Sequence, residues 1–219
     1  MKKQFKRIIH PLWAKMYFKR TKKVNTFSKY GLQLTIYPTV FHPGVFYSTE
    51  FFIAYLKTIL LKDKTLLELG AGSGLISFYA CSKGANVVAT DINSSALKGL
   101  RENAIQNKLP VTVIESNLFE NVKVSDFDII IINPPYYPKA PTNEMESAFY
   151  CGKEFDYFKQ LFHQLSTEKN PKTEIYMILS EDCDLKTIKS IADNNSLLFT
   201  QIKTYKNWIE KNFIYQIST

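Results

Sequence analysis

A short run at residues 127–132 constrains the fold more than any other part of the sequence. Its last four residues are consecutive isoleucines, and Asn-Pro-Pro-Tyr follows at once. Isoleucine is β-branched and stiff, so the run favours a strand over a helix. A strand that is apolar at every position is buried on both faces, which is typical of the centre of a parallel sheet. We therefore expect an α/β fold with helices on both sides of the sheet.

The segments around this run alternate between strand and helix patterns. The pattern predicts strands at residues 64–69, 86–90, 110–114, 173–179, 197–205 and 208–217. It predicts helices at residues 75–82, 94–107, 146–165 and 185–194. The last two strands are joined by a short polar turn and are expected to be antiparallel. This order predicts a doubly wound sheet, mostly parallel, with an antiparallel C-terminal strand.

The basic residues are distributed unevenly along the chain. Of the 28 Lys and Arg residues, ten lie in the first 49 residues, which contain no acid. From Glu50 onward the chain contains the other 18 together with all 20 acidic residues. Apolar residues at three- and four-residue spacings over 5–20 predict a helix that Pro11 interrupts. We expect a short, basic, helical N-terminal arm over residues 1–35 and one domain over residues 36–219.

The upstream part of that domain has weaker signals. Residues 32–47 are typical of two short strands separated by prolines. Ser48 or Thr49 could cap a helix that ends at Leu61.

The basic arm has three interpretations. Its lysines could contact nucleic-acid phosphates while Trp13 or Tyr17 stacks on bases. Its apolar stripe could instead pack on the body or on a partner, with the lysines merely solvated. The arm could also lie on anionic lipid. Charge asymmetry by itself leaves all three open.

Cysteine content and hydropathy bear on the compartment. Cys81, Cys151 and Cys183 are an odd number with no C-x-x-C spacing, which argues against a disulfide framework or a zinc site. No metal site is predicted. We find neither a signal-peptide pattern nor an apolar run of about 18 residues that could span a membrane. The expected location is the cytoplasm.

A glycine-rich turn follows the first predicted strand of the regular region. Gly70, Gly72 and Gly74 form G-x-G-x-G, whereas the dinucleotide fingerprint is G-x-G-x-x-G. Glycines let the backbone turn sharply and let a ligand approach closely. Asp91 ends the next predicted strand, where a carboxylate can accept hydrogen bonds from ribose hydroxyls. The pair predicts a site for a ligand that carries a nucleoside.

The second motif is Asn133-Pro134-Pro135-Tyr136, directly after the isoleucine run. Because the carboxyl ends of parallel strands meet at one edge, it should face the same crevice. An amide or exocyclic amine nitrogen has a delocalised lone pair. The Asn133 side-chain oxygen and the Pro134 carbonyl could each accept one N–H and so favour attack by that nitrogen. Tyr136 offers a flat face for a planar target.

With both motifs, the sequence resembles the S-adenosylmethionine-dependent methyltransferases that carry Asn-Pro-Pro-Tyr. It most resembles the release-factor glutamine methyltransferase (HemK-like) family, from about residue 40 to the C-terminus. The resemblance implies a Rossmann-like fold, S-adenosylmethionine as cofactor, and catalytic roles for Asn133, Pro134 and Tyr136. The cofactor-binding residues that it implies are Glu68, Gly70, Gly72, Gly74, Asp91, Ile92, Asn117 and Leu118.

Some segments agree with this family and others depart from it. Asn117 stands where the family commonly has an Asp beside the adenine, and residues 148–158 resemble the family's segment after the catalytic loop. Residues 45–50 lack the prolines and the arginine of a Pro-Arg-Pro-Glu-Thr-like stretch. A basic arm stands in place of the family's helical substrate domain.

The resemblance implies methylation of a protein glutamine (N5) on a translation factor. The alternatives are an exocyclic amine of RNA or DNA (adenine-N6 or guanine-N2) and a catalytically inactive module that binds S-adenosylmethionine or RNA.

Overall fold

The computed structural model describes residues 23–168 and 170–218. The helix predicted for residues 5–20, and eight of the arm's ten basic residues, lie outside these ranges. The strands are β1 Asn25–Lys29, β2 Leu32–Ile36, β3 Thr65–Leu69, β4 Asn86–Asp91, β5 Thr112–Glu115, β6 Ile129–Ile132, β7 Glu174–Ser180, β8 Leu198–Lys206 and β9 Lys211–Ser218. The helices are α1 Ser48–Leu56, α2 Leu75–Ser82, α3 Ser94–Asn107, α4 Glu144–Ser147, α5 Asp156–Thr167 and α6 Leu185–Asn194.

The central sheet has seven strands in the order β5-β4-β3-β6-β7-β9-β8. The five strands from β5 to β7 are parallel, whereas β9 is antiparallel both to β7 and to β8. The chain runs outward from β3 to β5 and then crosses back to begin the other half of the sheet at β6. The strand order therefore reverses between the neighbouring strands β3 and β6, and a crevice forms at the carboxyl ends of these two strands. The predicted mostly parallel, Rossmann-like sheet with antiparallel C-terminal strands is confirmed.

The isoleucines of β6 explain why the sheet is covered on both faces. All four are at most 2% exposed. Ile129 and Ile131 belong to a core cluster that includes residues of α1, α2 and α3, whereas Ile130 and Ile132 belong to a second cluster with α5 and α6. Successive strand residues point to opposite faces, so one run of isoleucine contributes to both cores.

The first two strands form a separate hairpin that packs on α3. Asn103 exchanges two hydrogen bonds with the backbone of Thr35, and Asn107 exchanges two with the backbone of Gln33. The prediction of a helical arm over residues 1–35 is therefore wrong for its described part, which contains β1 and most of β2. Leu32 and Leu34 are buried, so the predicted boundary at residue 35 cuts through a strand of the body.

Three other element predictions need correction. Of the two strands expected within residues 32–47, only β2 forms, and the chain then turns as far as α1. Helix α1 ends at Leu56 rather than at Leu61, and no side chain caps its start. The helix predicted over residues 146–165 is divided into α4 and α5 by a loop. In that loop Gly152 and Phe155 have positive φ, which an α-helix does not accommodate.

Within the described ranges, no helix combines the length and the apolar character that a membrane span requires.

Candidate functional site

A cavity of about 340 Å³ lies at the carboxyl ends of β3, β4 and β6. Loops after β2, β5 and α4 complete its wall. It brings together ten of the eleven predicted site residues, which are Glu68, Gly70, Gly72, Asp91, Ile92, Asn117, Leu118, Asn133, Pro134 and Tyr136.

Asp91 ends β4 and faces the glycine-rich turn. Its Oδ2 accepts a hydrogen bond from the Gly72 N–H at 2.8 Å, and its Oδ1 accepts one from the Asn93 N–H at 2.9 Å. Burial raises the pKa of Asp91, and these backbone bonds oppose the rise. A carboxylate has about four lone-pair sites, so about two remain for a ligand.

Glu68 lies at the end of β3 and is 5% exposed. Its Oε2 accepts a hydrogen bond from the Ser77 N–H at 2.8 Å and another from the Ser77 hydroxyl. Burial raises the pKa of Glu68 to about 8 despite these bonds, and nearby Asp91 adds to the rise. Glu68 therefore joins the strand end to α2 and places an acidic group at the cavity wall.

Gly74 is the predicted site residue that does not line the cavity. It precedes α2 with φ +77°, and a Cβ built on it would lie 2.4 Å from the Leu100 Cδ2 and 2.7 Å from the Phe78 Cε2. The third glycine of the motif therefore allows α2 to pack against α3 and does not contact the cavity. Its role as a cofactor-binding residue stays a prediction.

Asn117 lies where the related family commonly has an acid. Its Nδ2 donates to the Glu120 Oε1 at 2.8 Å. This bond uses one of the two N–H groups of the amide and turns the nitrogen toward Glu120, so the oxygen remains for a ligand donor. The neighbouring Leu118 is buried and has a φ of +52°.

The Asn-Pro-Pro-Tyr loop leaves β6 at the centre of the crevice. The Asn133 Nδ2 donates to the Ser48 Oγ at 3.3 Å. The Tyr136 N–H donates to the Phe149 carbonyl at 3.1 Å, which ties this loop to the one after α4. Burial raises the pKa of Tyr136 well above its usual value, so its hydroxyl stays neutral.

Sequence reasoning did not assign an aromatic wall to the cavity. Phe41 and Phe46 stack with ring centroids 5.1 Å apart, and Phe149 lies within 6 Å of both. Tyr157, at the start of α5, also lines the cavity. These residues lie on irregular loops or at a helix start, where no periodic pattern points to a shared site.

Comparison with known proteins identifies the family. The sequence profile of the methyltransferase small domain family matches residues 32–150, more than half of the chain. The chain belongs to the methyltransferase small domain family.

Two relatives of this methyltransferase domain carry specific names. It is 40% identical over 130 residues to a Methanocaldococcus jannaschii protein named protein N5-glutamine methyltransferase, covering 57% of this chain and 63% of that protein. It is 37% identical over 84 residues to the release factor glutamine methyltransferase of Flavobacterium psychrophilum, covering 37% of this chain and 30% of that protein. The chain thus spans less than two thirds of the length of either relative.

A solved structure agrees with the fold of this methyltransferase domain. The crystal structure of a methyltransferase from Pyrococcus furiosus is similar with a TM-score of 0.61 at 20% sequence identity. The match covers 95% of this chain and 98% of that one.

Proposed function

We propose that this chain is an S-adenosylmethionine-dependent N-methyltransferase whose acceptor is the side-chain amide of a glutamine in a translation factor. One observation carries the proposal. A single cavity contains Asp91, suited to a ribose, and the Asn133-Pro134 pair, suited to a planar nitrogen with two N–H groups.

The residues present fit S-adenosylmethionine. A cavity of about 340 Å³ lies within the usual range for small-molecule sites. Gly70 has φ +70°, and a Cβ built on it would meet nothing within 4 Å, so the turn leaves open space for a ligand. The free lone pairs of Asp91 suit ribose hydroxyls, and the Asn117 oxygen suits the exocyclic amine of the adenine. When bound, this cofactor supplies an electrophilic methyl group on a sulfonium.

The charge of the wall suits this cofactor and a neutral acceptor. The described residues that line the cavity include three acids, Glu68, Asp91 and Glu144, and no basic side chain. Because burial raises the pKa of Glu68 to about 8, Glu68 is mostly neutral near pH 7, and the negative charge comes from the other acids. Acidic side chains attract a sulfonium and an ammonium group, and they repel phosphates. We infer an acceptor group that is uncharged, such as a glutamine amide.

The chain's own groups can orient that acceptor. The Asn133 oxygen and the Pro134 carbonyl would each accept one N–H of the amide, which fixes the nitrogen and favours the positive charge that develops on it. The pKa of an amide nitrogen falls once it is alkylated, so it then loses a proton to water without a strong base. The aromatic residues of the wall would exclude other water from the reacting atoms.

The relatives' names support glutamine among the possible acceptors. The two relatives described above are named for glutamine methylation, and one of them for a release factor. The region that matches the family contains the Asn-Pro-Pro-Tyr sequence at residues 133–136.

Labelling tests the proposal directly. The full chain is incubated with cell extract and S-adenosylmethionine that carries an isotopic methyl label. Label that survives nuclease and is released by protease supports a protein acceptor, and the reverse result would refute it. The Asn133→Ala variant should lose transfer by about a hundredfold or more while it still binds the cofactor. Cofactor binding without transfer in the unmodified chain would instead indicate an inactive module.

We propose that the methyltransferase domain begins near Leu32, where the hairpin joins the core.

The role of the basic arm, including nucleic-acid contact, and the cytoplasmic location stay predictions. Deletion of residues 1–22 followed by cofactor-binding, RNA-binding and liposome assays would separate the three interpretations of the arm.

A further inference from the structure

We infer that Ser48 is a positioning residue for the acceptor amide, acting through Asn133; this inference rests on the proposed function. Ser48 is the first residue of α1 and is 6% exposed. It lies 85 residues from Asn133 in the chain, yet its Oγ accepts the hydrogen bond from the Asn133 Nδ2 at 3.3 Å. Both residues line the cavity.

The serine hydroxyl is not engaged in the role that its sequence position suggests. A serine beside a helix start usually caps the helix by accepting a backbone N–H. Here the cap position is Tyr47, and no side chain makes a capping bond. Ser48 lies one residue too late to cap, so its buried hydroxyl is directed to the catalytic amide instead.

The contact matters because the two ends of an amide are opposite in character. The Asn133 nitrogen can only donate and its oxygen can only accept. The acceptor glutamine presents N–H donors, so transfer requires that the Asn133 oxygen faces it. When the Ser48 hydroxyl accepts a hydrogen bond from the Asn133 nitrogen, the Asn133 oxygen lies on the other arm of the planar amide. That oxygen can then accept a hydrogen bond from the glutamine of the substrate. If the Asn133 amide were reversed, its N–H groups would face the N–H groups of the glutamine, and no hydrogen bond could form between them.

The chain neighbours of Asn133 fix its backbone but not the orientation of its side-chain amide. Asn133 follows a strand residue that is fully buried, and Pro134 after it has no N–H and a fixed φ. These neighbours hold the backbone, whereas rotation about the terminal torsion of an Asn side chain has a broad, roughly two-fold profile. A hydrogen bond to the side chain is therefore needed to hold it at the cavity wall. A serine hydroxyl can accept or donate, and the arrangement observed, in which it accepts from the Asn133 nitrogen, is the one that leaves the oxygen for the substrate. Residues 45–50, where the related family has a different stretch, provide this hydroxyl.

Variants of the full chain separate this role from a structural one. Ser48→Ala should lower kcat by about tenfold, since one hydrogen bond to a neutral partner contributes on that order. The Kd for S-adenosylmethionine should stay unchanged, and Ser48→Thr, which keeps the hydroxyl, should restore most of the rate. The matched control is Thr58→Ala. It removes a hydroxyl just after the same helix, one bonded to the Tyr55 carbonyl at 2.7 Å and absent from the cavity wall.

A readout that does not need turnover tests the contact itself. In a ¹⁵N-labelled chain, the side-chain amide signal of Asn133 is identified by its loss in Asn133→Ala. Ser48→Ala should shift the signal of the bonded amide proton, whereas Thr58→Ala and Ser48→Thr should leave it nearly in place. An unmoved signal in Ser48→Ala would overturn the contact.

The two readouts also distinguish the two claims. A shifted signal with unchanged kcat would overturn the positioning role while the proposed function stood. If the unmodified chain transfers no methyl group, the proposed function fails and the catalytic part of this inference fails with it. The amide signal would then still decide whether Ser48 holds Asn133.

Discussion

Gly70 and Gly74 have nearly the same left-handed backbone, with φ of +70° and +77°, but their surroundings differ. Gly70 borders open space at the cavity, whereas Gly74 faces the packed side chains of Leu100 and Phe78. Two glycines of one motif therefore serve two purposes. One leaves room for a ligand and the other leaves room for a helix.

Alanine at each position should separate these purposes. Both variants should be destabilised by about 1–2 kcal/mol, because a side chain is strained at positive φ. Gly74→Ala should lose more, since its Cβ would overlap two buried side chains, which costs about 1–3 kcal/mol further. Gly70→Ala should instead raise the Kd for S-adenosylmethionine by about tenfold or more. Thermal denaturation and calorimetric titration measure the two effects. Equal losses of stability with equal affinities would contradict this assignment.

Motifs predicted the parts of the cavity that lie at the ends of strands. Asp91 and Asn133 could be assigned because each ends a strand, and strand ends meet at one edge. Ser48 and Phe149 could not, because their contact with the site depends on where the start of α1 and the loop after α4 pack over the crevice. The packing of Gly74 against Leu100 and Phe78 could not be predicted either, because G-x-G-x-G does not reveal which glycine borders the cavity.

At the level of elements, the loop between α4 and α5 explains why one long helix was predicted and two formed. Residues 146–165 contain only one glycine and no proline, so the local signals for a break are weak. Tertiary contacts override them. Tyr150 pairs with Tyr137, and the Cys151 N–H donates to the Tyr137 carbonyl at 3.0 Å, which holds the loop against the segment that follows β6.

This loop should be sensitive at Gly152. Its φ is +88°, and a Cβ there would overlap the Asp156 carboxylate at the start of α5. Gly152→Ala should therefore destabilise the chain by more than Gly31→Ala, which has φ +79° but nothing within 4 Å of its Cβ. The difference, expected to be about 1–3 kcal/mol, isolates the overlap from the backbone strain. Denaturant unfolding of both variants measures it. A loss no larger than that of Gly31→Ala would contradict this account of the loop.

For the molecule as a whole, the charge of the cavity is opposite to that of the chain. The sequence has a net charge of +8, whereas the described cavity wall contains acidic side chains and no basic ones. The excess of basic residues comes from the arm, and the site suits a cationic cofactor. Net charge therefore informs the question of partner and says little about the chemistry.

The buried acids should make stability depend on pH. Burial raises the pKa of Glu68 to about 8 in the folded chain, against about 4.3 in an unfolded one. Between these values the folded state keeps a proton that the unfolded state releases, so the free energy of unfolding should fall as pH rises. Asp91 acts with the same sign, because burial raises its pKa too.

Glu68→Gln tests this pH dependence. Glutamine does not titrate, so the decline in Tm between about pH 5 and pH 8 should be smaller in the variant than in the unmodified chain. Thermal denaturation at a series of pH values gives both slopes. Identical slopes would show that Glu68 does not retain its proton in the folded state.

The most direct test of the central claim is the chemical identity of the methylated product. The macromolecules labelled by the full chain with isotopic S-adenosylmethionine, protein and nucleic acid together, are freed of unused cofactor and hydrolysed in acid, which converts N5-methylglutamine to glutamate and releases the label as methylamine. We predict labelled methylamine from the unmodified chain and almost none from Asn133→Ala. Label recovered instead as a methylated adenine or guanine would contradict the proposed acceptor.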